Sequence, residues 1–132
     1  MIIHNCDQRT DEWKALRCGR FTGSDFFTFM GKSETKKRLL MEKATERIIG
    51  HSEKKELNNE NIQRGVELEY IARCNYEMET MNKVMEVGFI ELDEYTGCSP
   101  DGLVGEDGMI EIKCPTSSVF VKHLLDDSIE KQ

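Results

Sequence analysis

The sequence predicts a mixed α/β (α+β) fold, with a mixed β-sheet flanked by helices, in one domain spanning residues 1–132. Three observations carry this expectation. Helical periodicity and helix caps dominate the first two-thirds of the chain. The last third turns to short β-branched runs separated by turn formers, and the only two prolines, Pro100 and Pro115, both fall there. A new helical segment then follows the strands.

Residues 7–18 predict the first helix, with Thr10 or Asp11 as N-cap and Gly19 just past its end. Phe21-Thr22-Gly23-Ser24-Asp25 reads as a loop that enters a second short helix through Ser24 or Thr22. Residues 34–49 predict a longer helix: Leu40, Ala44 and Ile48 recur every fourth position, Leu39 and Met41 flank them, and Gly50 occupies C′. The polar run 51–61 reads as a loop. Over residues 59–79, Ile62, Gly65, Val66, Glu69, Ala72, Arg73 and Tyr76 share one helical stripe, whereas Gln63, Glu67 and Cys74 lie on a more polar side. Glu69 therefore points where the apolar residues point. A carboxylate there needs a partner, either a cation such as Arg73 one turn on or a metal ion, and the ion pair is the commoner solution.

Residues 84–92 predict one strand, and residues 96–104 a second strand broken by turn formers. Gly105-Glu106-Asp107-Gly108 forms the hairpin loop. Residues 109–113 then alternate strictly until Pro115 stops the ladder.

Charge narrows the function classes. Lys and Arg number 18 against 25 Asp and Glu, a net charge of −7, and the pI is near 5.0. The charge argues against a protein that coats nucleic acid by bulk charge, because the average field repels phosphate. A local cationic groove or a bridging metal stays open. The five cysteines are odd in number and contain no C-x-x-C pair, so neither a zinc knuckle nor a disulfide framework is expected. No run approaches the ~18 apolar residues of a membrane span, and the first residues lack a secretory pattern. Reduced thiols, a cytoplasmic location and no membrane partner are the expectation.

The chemistry gathers in the last third. Glu111 and Lys113 project from one strand face, while Ile110 and Ile112 project from the other. Across the hairpin loop, Asp101 can reach the same edge as Glu111. Two carboxylates at one point repel, and a hard divalent cation such as Mg²⁺ resolves the conflict. The Ile112 carbonyl and Glu69 are the natural further oxygen groups, and Lys113 beside them can align a water. Taken singly, Asp101-Gly102 is an ordinary turn and Glu111-x-Lys113 an ordinary exposed pair. Together they are far more specific.

The arrangement Ser99-Pro100-Asp101-Gly102-Leu103 … Ile110-Glu111-Ile112-Lys113-Cys114-Pro115 resembles the PD-(D/E)xK nuclease superfamily, and within it the lambda-exonuclease-like, YqaJ-type viral recombinases. Trp13-Lys14-Ala15-Leu16-Arg17-Cys18-Gly19 with Thr22-Gly23-Ser24-Asp25 resembles the family's N-terminal signature. Arg64-Gly65-Val66-Glu67-Leu68-Glu69-Tyr70-Ile71-Ala72-Arg73 resembles its acidic helix. The resemblance implies a restriction-endonuclease-like core. It implies that Asp101, Glu111, Glu69 and the Ile112 carbonyl hold Mg²⁺, with Mn²⁺ as a substitute, and that Lys113 orients the attacking water. Arg17 and Ser24 match positions that hold the terminal 5′-phosphate of DNA, and Lys32, Lys36 and Lys37 are further candidates for phosphate contact.

The implied function is Mg²⁺-dependent exonuclease action on linear double-stranded DNA from the 5′ end, in phage-type recombination within a phage- or prophage-carrying bacterium. The resemblance also implies a ring-like homotrimer and a single-strand annealing protein as partners. Two alternatives are an endonuclease of the same superfamily and an inactive DNA- or protein-binding fragment. The family's domain continues beyond the Cys-Pro motif, so this chain reads as stopped short at its C-terminus, leaving Val119, Phe120, Val121, Leu124 and Leu125 with fewer packing partners.

Overall fold

The first predicted helix forms as α1 (Asp11–Arg17), capped by Thr10, whose hydroxyl accepts the Trp13 N–H at 3.3 Å. The chain leaves it through Gly19 at φ 69°, where a Cβ would collide with the Arg47 side chain. Thr22 then opens a 3₁₀ turn (Gly23–Asp25) through a capping box with Asp25, and the turn runs into α2 (Phe26–Met30). The computed structural model describes residues 1–54 and 60–126. Its longer helices are α3 (Ser33–Ile49), closed by Gly50 at φ 78°, and α4 (Glu60–Thr80). Residues 55–59 of the loop predicted at 51–61 lie outside the described residues, and its last two positions already belong to α4.

The strands are β1 (Ile2–His4), β2 (Val84–Met85), β3 (Phe89–Glu91), β4 (Gly97–Cys98), β5 (Gly102–Val104) and β6 (Gly108–Ile110), followed by α5 (Ser117–Asp126). They pair as two antiparallel sheets, β1–β3–β4 and β2–β5–β6. The expected mixed sheet is replaced by two antiparallel ones, with a single isolated parallel bridge from Phe21 to Thr96 beside β4. The strand expected over 84–92 is thus two strands in two sheets, a correction with a clear cause. One register runs through both pairs: Ile90 faces Cys98 in one sheet, and Val84 faces Val104 in the other. Residues 84–104 are a single hairpin whose middle has been opened.

Side chains of the N-terminal segment replace the ladder bonds lost in that opening. Gln8 Nε2 donates to the carbonyls of Val87 (3.3 Å) and Pro100 (3.0 Å). Trp13 shares its indole N–H between the Gly88 carbonyl (3.0 Å) and Ser99 Oγ (2.9 Å). Buried backbone groups are thereby satisfied without strand pairing. β1, which has no turn signal before it and was not expected, docks beside β3 and brings Gln8 and Trp13 into reach.

Among the described residues, the buried apolar core is small: Leu39, Val87, Phe89 and Ile90, with Phe89 at 0% exposure. The inward face of α3 differs from the expected one. Leu39, Lys43 and Glu46 are buried, and Ile48, expected inside, is 84% exposed. Lys43 lies 3.6 Å from Asp25 and 3.4 Å from Glu46, so a paired charge cluster, and not the apolar stripe, orients the helix. Phe120, Val121, Leu124 and Leu125 of α5 are exposed.

Candidate functional site

Asp101 stands where the opened hairpin resumes pairing. Its backbone N–H donates to the Ile110 carbonyl at 3.1 Å, and its carboxylate accepts the Ile112 N–H. This bond explains why β6 ends at Ile110 when the alternation predicted strand through Lys113. Beyond Ile110 a side chain takes the place of the partner backbone. Glu111 thereby follows directly after the Ile110 that pairs beside Asp101, and Lys113 Nζ contacts Glu111 Oε1 on the exposed side although residues 111–113 have left the strand.

Glu69 approaches from α4. It and Asp101 line one cavity of about 380 Å³, together with Arg9, Tyr70, Arg73 and Glu86. The cation nearest Glu69 is Arg9, 4.0 Å away, and not Arg73, which pairs with Glu86 at 2.7 Å. Burial raises the Asp101 carboxyl above its ordinary value more than the Ile112 N–H lowers it, and Glu111 adds to the rise. Burial likewise raises Glu69, with Asp101 adding repulsion, while Arg9 and Lys113 oppose it. Glu69, Asp101, Glu111 and Lys113 therefore share one electrostatic neighbourhood. Among the described residues, no three acidic, His or Cys side chains stand close enough together to hold a metal ion by themselves.

A second cavity, of about 510 Å³, is lined by Trp13, Arg17, Thr22, Ser24, Lys43 and Lys54 among others. Arg17 donates to Ser99 Oγ at 3.0 Å and to Thr22 Oγ1 at 3.3 Å, and its guanidinium lies 4.3 Å from the Trp13 ring centroid. Thr22 and Ser24 hydroxyls are 3.0 Å apart. Arg17 and Ser24 were expected here from the sequence. Thr22, Ser99 and Trp13 were not, although Ser99 stands only two positions before Asp101 and so was within reach of the same motif. The expected cations Lys32, Lys36 and Lys37 line neither cavity; Lys36 packs over Phe29 and Lys37 pairs with Glu34. The two cavities share no lining residue; Ser99, which accepts a bond from Arg17 of the second, stands two positions before Asp101 of the first.

Trp13→Phe removes the indole N–H that Gly88 and Ser99 share and weakens the stacking of Arg17. A loss of about 1–3 kcal/mol in urea unfolding is expected, the cost of a buried carbonyl left unpaired.

Residues 12–132 match the YqaJ-like viral recombinase domain. The chain belongs to this family. Its fold is similar to that of an alkaline exonuclease from Laribacter hongkongensis, with 37% identity and a TM-score of 0.78 over 92% of this chain and 61% of that one. The structure of the same exonuclease in complex with dAMP gives 37% identity and a TM-score of 0.78, over 92% of this chain and 62% of that one. This YqaJ-like chain thus spans about three-fifths of the length of the exonuclease it matches. No curated protein sequence matches it.

Proposed function

We propose that this YqaJ-like domain is the nuclease part of a Mg²⁺-dependent deoxyribonuclease that hydrolyses linear double-stranded DNA from the 5′ end, in phage-type recombination. One observation carries the reading. The opened hairpin places Asp101, near Glu111 and Glu69, on one side of Pro100, and an Arg17-bound serine, Ser99, on the other.

The donor set fits a hard divalent cation. Asp101 and Glu69 are half-buried carboxylates held toward their neutral forms by burial first, with Glu111 adding to the rise at Asp101 and Asp101 to that at Glu69. Oxygen ligands alone suit Mg²⁺ or Mn²⁺ and not a soft metal. Asp101, Glu111, Glu69 and the Ile112 carbonyl would hold it, and when bound it polarises the scissile phosphate and neutralises developing charge. Lys113 orients the attacking water from the exposed face, and its ammonium offsets negative charge on the phosphoryl oxygens. Arg17, with the Ser24, Thr22 and Ser99 hydroxyls, holds the terminal 5′-phosphate, a bidentate cation and neutral donors suited to three acceptor oxygens. The chain's −7 charge is then no obstacle, since three of its acids serve the cation and phosphate recognition is local.

The test compares 5′-phosphorylated linear duplex with closed circular duplex, with Mg²⁺ and with EDTA. Release of mononucleotides from linear DNA only, abolished by EDTA, is expected. Intact linear DNA in the presence of folded protein and Mg²⁺, or cutting of circles, overturns the reading.

The raised carboxyls give a second expectation. A carboxyl whose folded pKa exceeds its unfolded value stabilises the fold below the unfolded value and loses that contribution as pH rises through the folded one. Metal-free protein should therefore lose stability as pH rises from the ordinary carboxylate range through the raised values of Asp101 and Glu69. Mg²⁺ should restore it by binding the folded state. Asp101→Asn should match or exceed wild type in metal-free thermal unfolding and lose most of the Mg²⁺-induced gain.

A further inference from the structure

Arg9 stands on a left-handed backbone at φ 72°, a conformation unfavourable to any residue with a Cβ and open to glycine. The side chain placed there lines the cavity of Asp101 and Glu69. The described lining holds one other cation, Arg73, which is 14% exposed and committed to Glu86. Arg9 is 51% exposed and only 4.0 Å from Glu69, so its guanidinium is open to a ligand on a cavity lining that holds Asp7, Glu69, Glu86 and Asp101 against the paired Arg73. In the nuclease reading, the terminal phosphate occupies the other cavity, and the reacting carboxylates form the wall of this one. Arg9 lines the same cavity as Asp101, the cavity that a strand passing from Arg17 and Ser99 to the reacting carboxylates would enter.

We infer that Arg9 contacts a backbone phosphate of the DNA strand that continues beyond the scissile bond. This rests on the nuclease reading. A guanidinium offers paired donors to phosphate oxygens, and such contacts position the strand without reading its sequence. The positive charge also counters the field of Glu69, Asp101 and Glu86, which would otherwise repel a polyanion at this point.

Binding of a fluorescent 5′-phosphorylated duplex, followed by anisotropy across a salt series with Ca²⁺ in place of Mg²⁺, tests the assignment. Arg9→Gly keeps a backbone that suits φ 72° and should unfold at the same or a higher temperature. It should bind duplex several-fold more weakly and lower the slope of log K against log salt by about one, the signature of one lost phosphate contact. Arg9→Lys should keep the slope and lose part of the affinity. Wild-type affinity and slope in Arg9→Gly would overturn the inference and leave the nuclease reading standing. So would an unchanged slope with a shifted Mg²⁺ dependence of thermal unfolding, which would make Arg9 a partner of Glu69 alone. Failure of the wild-type protein to bind duplex ends would overturn both.

Discussion

Lys113→Ala is expected to lower nucleotide release from linear duplex by about 10²–10⁴-fold, the range lost when a group that positions the reacting water is deleted. The fold should not follow. The Lys113 side chain is 43% exposed and that of its partner Glu111 57%, so their contact is a solvated surface pair worth about 0–1 kcal/mol. Lys113 also bears on Asp101 and Glu69, lowering both carboxyls. Its loss should therefore sharpen their mutual repulsion in the metal-free protein, without unfolding it. Lys113→Arg should recover little activity, because a planar fork does not take the place of a compact ammonium beside a water. Steady-state hydrolysis measured alongside thermal unfolding separates the cases. Wild-type turnover in Lys113→Ala would remove the residue from the chemistry, and a lost activity with a large fall in melting temperature would make the effect one of folding.

What made this site legible in the sequence was local. Asp101, Glu111 and Lys113 lie close together along one hairpin whose turn spans only residues 105–107, so their neighbourhood is legible although the paired strand itself ends at Ile110. The α4 stripe is legible only in part: Glu69, Ala72, Arg73 and Tyr76 are partly buried along one face, but Val66 of the same stripe is exposed and Cys74, read onto the polar side, is partly buried. α1 followed from its Thr10 cap. The rest depends on contacts far apart along the chain. The sequence offered Arg73 as the partner of Glu69 because it is one turn away, but Glu86 from the strand region captures Arg73 and leaves Glu69 to Arg9. Nothing within residues 84–92 marks the opening of the hairpin, because what holds it open is Gln8 and Trp13. The face of α3 was misread because periodicity counts apolar residues, and here the inward positions next to Leu39 are charged.

Those charges set the largest expected cost to the fold. Lys43→Met should destabilise the protein by about 3–5 kcal/mol, since removing one member of a buried ion cluster strands the others without compensation. Against the ~5–15 kcal/mol that holds an ordinary domain together, this is a large fraction. One ammonium serves two buried carboxylates, and each of them holds backbone. Asp25 accepts the Thr22 N–H at 2.9 Å and the Thr22 hydroxyl at 3.1 Å, and Glu46 accepts the Gly19 N–H at 2.9 Å. Both ends of the segment that presents Thr22 and Ser24 are therefore fixed through Lys43, far from any contact with the carboxylates of Asp101 and Glu69. Burial pushes the Glu46 carboxyl up, but bonds from Ser52 and the Gly19 N–H, with Lys43, together bring it below its ordinary value. A carboxyl held below its unfolded value stabilises above that value, and the contribution is lost as pH falls through the folded one. In Lys43→Met the same carboxylates are buried and unpaired, and protonation relieves them. The stability gap between wild type and variant should accordingly narrow as pH falls from 7 to about 4, the ordinary carboxylate range. Adding Glu46→Gln, whose amide oxygen can still accept the Gly19 N–H, should recover part of the loss at pH 7, which a double-mutant cycle in urea would measure. A gap that stays constant with pH, with no recovery in the double variant, would assign the cost to lost packing of the lysine stem and not to the charge cluster.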